Sequence, residues 1–344
     1  MAKPRCSPRH AKTVTVSPTK PTIKDVAAAA GVSKSLVSLA LRDAPGVSPE
    51  TKARILGTAA ELGYRSNTWA RALAEGKSQV VGILLNDLHS AYHTDIVEGI
   101  ETAANQAGLT TILSHGHRDS ALLTTRLAHL QDLGVDGVIV VSALLPRDVL
   151  AASARRGPLV VVGRPAEIPS EVGGVWNNDE LGAQLAVEHL AALGHTRIAH
   201  LSGSVRPASR ARLGSFHATM TSLGLPEPHQ VFHDPIALVQ VARSQSNGPT
   251  AVFASNDVRA ARLLGAASDE GLVVPEELSI VGYDNTDLAQ LLRPALTSID
   301  QPRHEMGGRA LRMLTDLLGG AAARIEVVAP SIVVRASTQR PVHE

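Results

Sequence analysis

The sequence has a single cysteine, Cys6, in 344 residues. The chain alone therefore builds neither a disulfide framework nor a cysteine-based zinc site, and a reducing compartment suits it. No apolar run approaches the roughly 18 residues needed to span a bilayer; two of the longest are 80–85 and 138–141. The basic N-terminus lacks the apolar stretch of a secretory signal, so the expectation is a soluble, cytoplasmic protein with no membrane partner. No lysine follows Lys77, and no acidic residue precedes Asp25. What is abundant is apolar material, 44% of residues against 19% charged, enough for packed cores. The length suggests about two to three domains.

The net charge of +1 hides a segregation. Residues 1–77 carry 13 Lys and Arg against 5 Asp and Glu, while the remaining 267 carry 20 against 27. A compact basic segment attached to an acidic body suggests a polyanion held by one end, although a merely solvated basic surface has the same charge. Residues 1–21 mix Pro, Ser, Thr and basic residues with no apolar period and read as a disordered tail.

From Thr22 a helical module begins. Thr22 and Asp25 have capping-box spacing, followed by Ile23, Val26, Ala27 and Ala30 on one face. Gly31 ends that helix, and Ser33 starts a second with Val37, Ala40 and Leu41 facing inward. Lys34, Ser35, Ser38, Leu39 and Arg42 then point outward. A third helix starts at Ser48-Pro49-Glu50 and carries Ile55, Leu56, Ala59 and Leu62 before Gly63. Two short helices around a glycine turn, supported by a third, form a helix-turn-helix whose outward face fits a major groove. Lys34 and Ser35 can donate to bases or phosphates, whereas Leu39 can meet only a thymine methyl or another apolar surface.

The motifs Thr22-Ile23-Lys24-Asp25-Val26-Ala27, Ala30-Gly31-Val32-Ser33, Val37-Ser38, Val47-Ser48-Pro49-Glu50-Thr51 and Leu62-Gly63-Tyr64 closely resemble the DNA-binding domain of the lac and galactose repressor family of bacterial transcriptional regulators. Residue by residue, the resemblance implies that Thr22, Ser33, Ser48, Tyr64 and Asn67 contact phosphates, while Lys34, Ser35 and Leu39 occupy base-reading positions. Leu39 departs from the polar or basic residue many members carry there. Residues 68–74 have helical propensity but span about two turns, too few to be stable alone in water. The resemblance implies that they become a hinge helix when two subunits meet on DNA, with Ala70 and Leu73 at the minor groove and Leu73 as the kinking wedge. Ser66 stands where the family usually has proline. The resulting boundaries are a tail at 1–21, a helix-turn-helix domain at 22–67, and a hinge with its linker at 68–79.

Beyond residue 80 short β-branched runs alternate with helical periods. Strands are expected at 80–85, 110–114, 137–141 and 159–162, with helices at 94–106, 120–133 and 147–155. After Trp176 the pattern restarts, with helices at 181–193, 210–223 and 258–271 and strands at 197–201, 251–255 and 279–283. Such βαβ repetition implies doubly wound parallel sheets in two lobes, whose ligands bind beyond the carboxyl ends of strands. The resemblance extends through Val187-Glu188-His189-Leu190, Pro249-Thr250-Ala251-Val252-Phe253, Asn256-Asp257, Gly282-Tyr283-Asp284-Asn285 and Gln301-Pro302. It implies a periplasmic-binding-protein-like core at 80–344. Lobe 1 takes about 80–176 and 303–327, and lobe 2 about 177–302 and 328–344.

The same resemblance carries effector contacts onto Tyr92, His93, Arg164, Arg212, Asn256, Asp257 and Asp284. Tyr92 can stack on a ring face, Arg212 can fork to vicinal hydroxyls or an anion, and Asp284 can accept from hydroxyls. Asp257 and Asp284 can equally cap helices, and Arg212 can equally lie at the surface. Gly163 precedes Arg164-Pro165 where the family often has aspartate, and losing that acceptor tilts the cleft toward an anionic or differently decorated ligand. No Gly-x-Ser-x-Gly, His-Glu-x-x-His or dinucleotide glycine pattern occurs. His115-Gly116-His117 and the Glu188, His189, His195 group lack a further positioned ligand. The expectation is a non-enzyme without metal or cofactor: a homodimeric regulator, most simply a repressor, that binds a palindromic operator under control of a small-molecule effector, a sugar or derivative. No C-terminal heptad run suggests a tetramer. A solute-binding protein, which needs a signal peptide, and a doubly wound enzyme, which needs a positioned acid, base or cofactor loop, are the competing readings.

Overall fold

The computed structural model describes residues 21–64, 78–244 and 247–341. The expectations for the tail, for Asn67, and for Ala70 and Leu73 of the hinge lie outside the described residues. The chain divides into two units, Met1–Ser78 and Gln79–Glu344.

In the first unit three helices, α1 (Ile23–Ala29), α2 (Lys34–Leu41) and α3 (Pro49–Glu61), share one core. Each start is fixed locally. The Asp25 carboxylate accepts from both the backbone N–H and the hydroxyl of Thr22, at 2.7 Å each. Ser33 accepts from Leu36 N–H at 3.2 Å, and Ser48 accepts from Thr51 N–H at 3.3 Å. Gly31 turns the chain between α1 and α2 at φ 66°, in the left-handed region that glycine enters without a Cβ clash. The core is Val26, Ala27, Ala30, Val37, Ala40, Ile55 and Ala59, with Ile23, Leu36, Leu41 and Tyr64 packed on it. Leu56 and Leu62 instead stay 42% and 40% exposed. Ile55 and Ala59, one turn apart on α3, already fill the narrow stripe that faces the core.

The second unit holds two six-stranded sheets. The first runs β11 (Ile325–Val328), β5 (Gly173–Asn177), β4 (Leu159–Val162), β3 (Gly137–Val141), β1 (Val80–Leu85) and β2 (Thr110–His115). The second runs β12 (Ser331–Val333), β10 (Thr297–Asp300), β9 (Ser279–Asp284), β8 (Ala251–Ala254), β6 (Ile198–Leu201) and β7 (Val231–Phe232). Among the described pairings only β10 with β12 is antiparallel. The uninterrupted apolar strands follow from cover on both faces. In β3, Ile139 and Val141 pack with Ile96 and Ile100 of α4 (Ala91–Gln106) and with Met306 and Leu314 of α12 (Arg303–Leu318). Val138 and Val140 of the same strand meet Leu123, Leu127 and Leu130 of α5 (Ser120–Asp132) on the other face. Around the second sheet, α7 (Asp179–Ala192) and α8 (Pro207–Ser222) cover one face, and α10 (Asp257–Asp269) covers the other.

The chain passes from the first sheet to the second after β5, returns through α12 to β11, and crosses again to β12. α12 is locked onto α4 at backbone contact. A Cβ on Gly99 would lie 2.1 Å from the His304 carbonyl oxygen, and one on Gly307 would lie 2.2 Å from that of Ile96. Arg303 sits at the return crossing. Its Nε donates to Asp95 of α4 at 2.8 Å and its Nη2 to the Asn285 carbonyl at 3.0 Å, so it ties the two lobes beside the crossover.

Candidate nucleic-acid face and ligand cavity

On α2, Lys34 and Ser35 are exposed, while Ser38 and Leu39 are half-buried. Arg42 is exposed, and its Nε is held by the Ser38 carbonyl at 3.1 Å. Thr22, Ser33 and Ser48 are exposed at helix starts, and each hydroxyl already has a local partner. Ser33 accepts from a backbone N–H, so its own proton is left to donate to a phosphate, beside the positive end of α2. Ser48 donates to Thr51 Oγ1 at 2.9 Å and the Thr22 hydroxyl donates to Asp25, so a phosphate at either must displace a partner. Tyr64 is half-buried against the core of the three helices.

In the second unit a cavity of about 390 Å³ opens where loops from the carboxyl ends of strands in both sheets converge. Tyr92, His93 and Arg164 enter it from the first lobe, and Arg212, Asn256 and Asp284 from the second. Six of the seven sequence-derived effector positions thus meet at one place. Asp257 does not line it. Its carboxylate accepts from Ser298 Oγ at 2.6 Å and from the N–H and hydroxyl of Thr286 at 2.7 and 3.0 Å, which consumes it inside the lobe. The helix-capping alternative applies to Asn256 instead, whose Oδ1 accepts from Arg259 N–H at 2.9 Å and leaves the amide nitrogen and one lone pair of Oδ1 for a ligand.

Arg212 is buried rather than at the surface. Its Nε and Nη2 each meet Asp179 Oδ1 at 2.8 Å, Nη1 donates to the Ser255 carbonyl at 2.7 Å, and the guanidinium lies 3.6 Å from the Tyr283 ring centroid. Asn177 extends the network by donating to the Tyr283 hydroxyl at 2.7 Å. The arginine is therefore pre-positioned before any ligand arrives. Asp284 and Asn285 hold φ of 100° and 50°, left-handed conformations at the end of β9 that aim the Asp284 carboxyl at the cavity. Burial raises that carboxyl to about 7, against the pull of Arg212 and with the push of Asp257. His93 is lowered to about 4, chiefly by burial and further by Arg206 and Arg118. Burial also raises the Tyr92 phenol, with Asp284 and Asp179 adding to it, so Tyr92 stays neutral. Arg164 pairs with Glu180 at 2.6 Å.

Asn86, Arg118, Trp176, Asn177, Asp179, Arg206 and Gln301 also line the cavity and were not singled out from sequence. Asn86 directly follows β1, so a search for polar residues just past each β-branched run finds it, whereas Asn177 ends β5 and Gln301 follows β10, strands that no such run marks. Arg118 and Arg206 sit three and five residues past β2 and β6, beyond the reach of a search confined to the residue after each run. His115 and His117 pack ring to ring at 4.0 Å, and no group of three or more metal-capable side chains occurs among the described residues. No helix among the described residues is long and apolar enough to cross a membrane.

A family model described as bacterial regulatory proteins, lacI family, matches residues 22–67, and one described as periplasmic binding protein-like domain matches residues 187–338. Catabolite control protein A of Priestia megaterium is 32% identical over 86% of this chain and 91% of its own length. The lac repressor dimer bound to operator and the anti-inducer ONPF superposes with a TM-score of 0.81 at 28% identity, covering 93% of this chain and 100% of that one. The transcriptional regulator CelR in complex with cellobiose gives a TM-score of 0.66 at 26% identity, covering 92% and 99%. With a three-helix reader of DNA on a two-lobed ligand-binding body, and relatives matched along nearly their whole length, the chain belongs to the lacI family of bacterial regulatory proteins and is a DNA-binding transcriptional regulator.

Proposed function

We propose that the chain is a cytoplasmic homodimeric repressor that grips a palindromic operator and releases or tightens that grip when a sugar-like effector enters the cavity. The observation that carries this reading is the joining, in one chain, of a basic three-helix unit to a body with a polar cavity of about 390 Å³ at the carboxyl ends of two sheets. Lys34, Ser35, Ser38 and Leu39 read bases, while Thr22, Ser33, Ser48, Tyr64 and Asn67 hold phosphates. Ala70 and Leu73 enter the minor groove. In the cavity Tyr92, His93, Arg164, Arg212, Asn256 and Asp284 contact the effector, and Asp257 positions the turn that carries Asp284. Half-sites about one helical turn apart require a two-fold partner, and the lac repressor neighbour is a dimer on its operator with a small molecule bound. Control is linkage. An effector that prefers one arrangement of the lobes shifts operator affinity by about 5- to 150-fold for a coupling of roughly 1–3 kcal/mol.

The test is titration of a palindrome from the region upstream of neighbouring genes, against the same sequence with its half-spacing altered by five base pairs. The expected result is tight binding to the first alone, changed by a ligand of the cavity. Equal affinity for both duplexes contradicts the dimeric, sequence-specific reading.

A further inference from the structure

Among the residues that line the cavity, arginines outnumber carboxylates. Arg118, Arg164, Arg206 and Arg212 line it against Asp179 and Asp284. Asp179 is consumed by Arg212 at 2.8 Å, and burial favours the protonated form of Asp284. Arg164 and Arg118 are paired with Glu180 and with the buried Asp87, each at 2.6 Å. Arg206 is exposed and forms no ion pair among the described residues.

These cations come from both lobes. Arg118 follows β2 in the first lobe and Arg206 precedes α8 in the second; both line the cavity together with His93, whose imidazole is lowered chiefly by burial and further by the two guanidinium groups. Arg118, His93 and Arg206 thus line one cavity from both lobes, with both guanidinium groups near enough to act on the imidazole. Two helices open onto the cavity as well. The N-caps of α4 and α8, Ser90 and Arg206, offer no side-chain bond to the helix N–H groups, and Ser90, Ala208 and Ser209 line the cavity. Two positive helix ends and two guanidinium groups thus face the same cavity.

The opposite chemistry lies elsewhere in the lining. Asn86 and Asn177, each only 2% exposed, have side-chain oxygens without a partner. Asp284 shares its carboxylate with Gln301 alone among side-chain amides. Such acceptors call for hydroxyl donors.

We infer that the cavity is built for a polyhydroxylated anion, a sugar bearing a phosphate or a carboxylate, with its charged group between Arg118 and Arg206 and its hydroxyls on Asn86, Asn177 and Asp284. The inference rests on reading the cavity as the effector site. Because Arg118 and Arg206 come from different lobes, the anion draws the lobes together and so acts on the arrangement that governs operator binding.

Full-length protein is titrated calorimetrically with neutral hexoses, with their phosphate monoesters, and with the related uronic and aldonic acids. The expected tightest binder is an anion, which R206Q weakens by at least about tenfold while changing a neutral parent sugar by less than about twofold. Whichever of the phosphate and carboxylate arms binds more tightly names the charged group. A neutral sugar as the tightest binder, or an anion bound equally well by R206Q, overturns the inference; the former leaves the effector reading standing. If no sugar binds, the thermal midpoint in inorganic phosphate is compared with that in chloride at equal ionic strength. A rise in the wild type that is absent from R118Q/R206Q supports the inference, and equal midpoints overturn it. The effector reading itself fails in a different way, when a cavity-bound sugar leaves operator affinity unchanged.

Discussion

The two units hold their functional groups by opposite means. The N-terminal unit keeps them on the surface of a seven-residue core that is mostly alanine and valine, with hydroxyls that double as helix caps. The C-terminal body buries them. Arg212 and Asp179, 8% and 2% exposed, are enclosed between cores large enough to tolerate an internal ion pair. A surface that must meet phosphates keeps its charges hydrated and exchangeable, whereas a cavity that must recognise one small molecule fixes its polar groups before the ligand arrives. The same kind of substitution therefore has different consequences in the two units.

The largest expected effect is in the body. Arg212→Ala leaves Asp179 buried without its partner, and the urea transition of the body should lose about 3–5 kcal/mol while the N-terminal unit unfolds as before. A loss below about 1 kcal/mol contradicts the buried pairing. Ile55→Ala tests the other side. Removing the largest buried side chain from so small a core should cost about 2–5 kcal/mol, abolishing operator binding with effector affinity retained; persistence of operator binding means that the three helices are held by more than this core.

A pH series sharpens the contrast further. The Asp284 carboxyl is raised from 3.8 to about 7 in the folded chain, so between those values the fold binds the proton more tightly than the unfolded chain does. Its contribution to stability is therefore lost as pH rises through that window. His93, lowered from 6.5 to about 4, acts in the opposite direction, adding stability as pH rises over its own window. Asp284→Asn removes the first effect alone. The variant should gain on the wild type between pH 5 and pH 8 by at least about 1.4 kcal/mol, the equivalent of one pKa unit, and a pH-independent difference shows that this carboxyl is not held protonated. The smallest effect belongs to the exposed side chain Lys34. Lys34→Ala should leave both melting transitions in place and lower the salt slope of operator binding by about 0.9 if it neutralises one phosphate. An unchanged slope places Lys34 on a base or in solvent.

Legibility in the sequence follows the same division. Thr22 with Asp25, Gly31, Ser33 and Ser48-Pro49 mark the three helices because caps and turns are local chemistry. The buried strands β1, β3 and β4 are legible as β-branched runs because both of their faces are covered. β10 is not, since Thr297 and Ser298 are buried polar residues satisfied by Ser337 and Asp257 from distant segments. β7, two residues long, carries no period at all. In the cavity, the positions carried by motif resemblance reach the lining except Asp257, whose partners Thr286 and Ser298 cannot be inferred from its own neighbourhood. Arg118 and Arg206 lie 88 positions apart, and only the folding of two lobes brings them to the same cavity.

The central claim is that this chain grips DNA through its N-terminal unit, and the most direct test is the affinity of the full-length protein for a palindromic operator across 50–200 mM salt. The account predicts a straight line in log K against log salt, with a slope near −0.9 for each neutralised phosphate and a total of several such contacts. A slope indistinguishable from zero, or the same slope from a chain lacking residues 1–78, contradicts it.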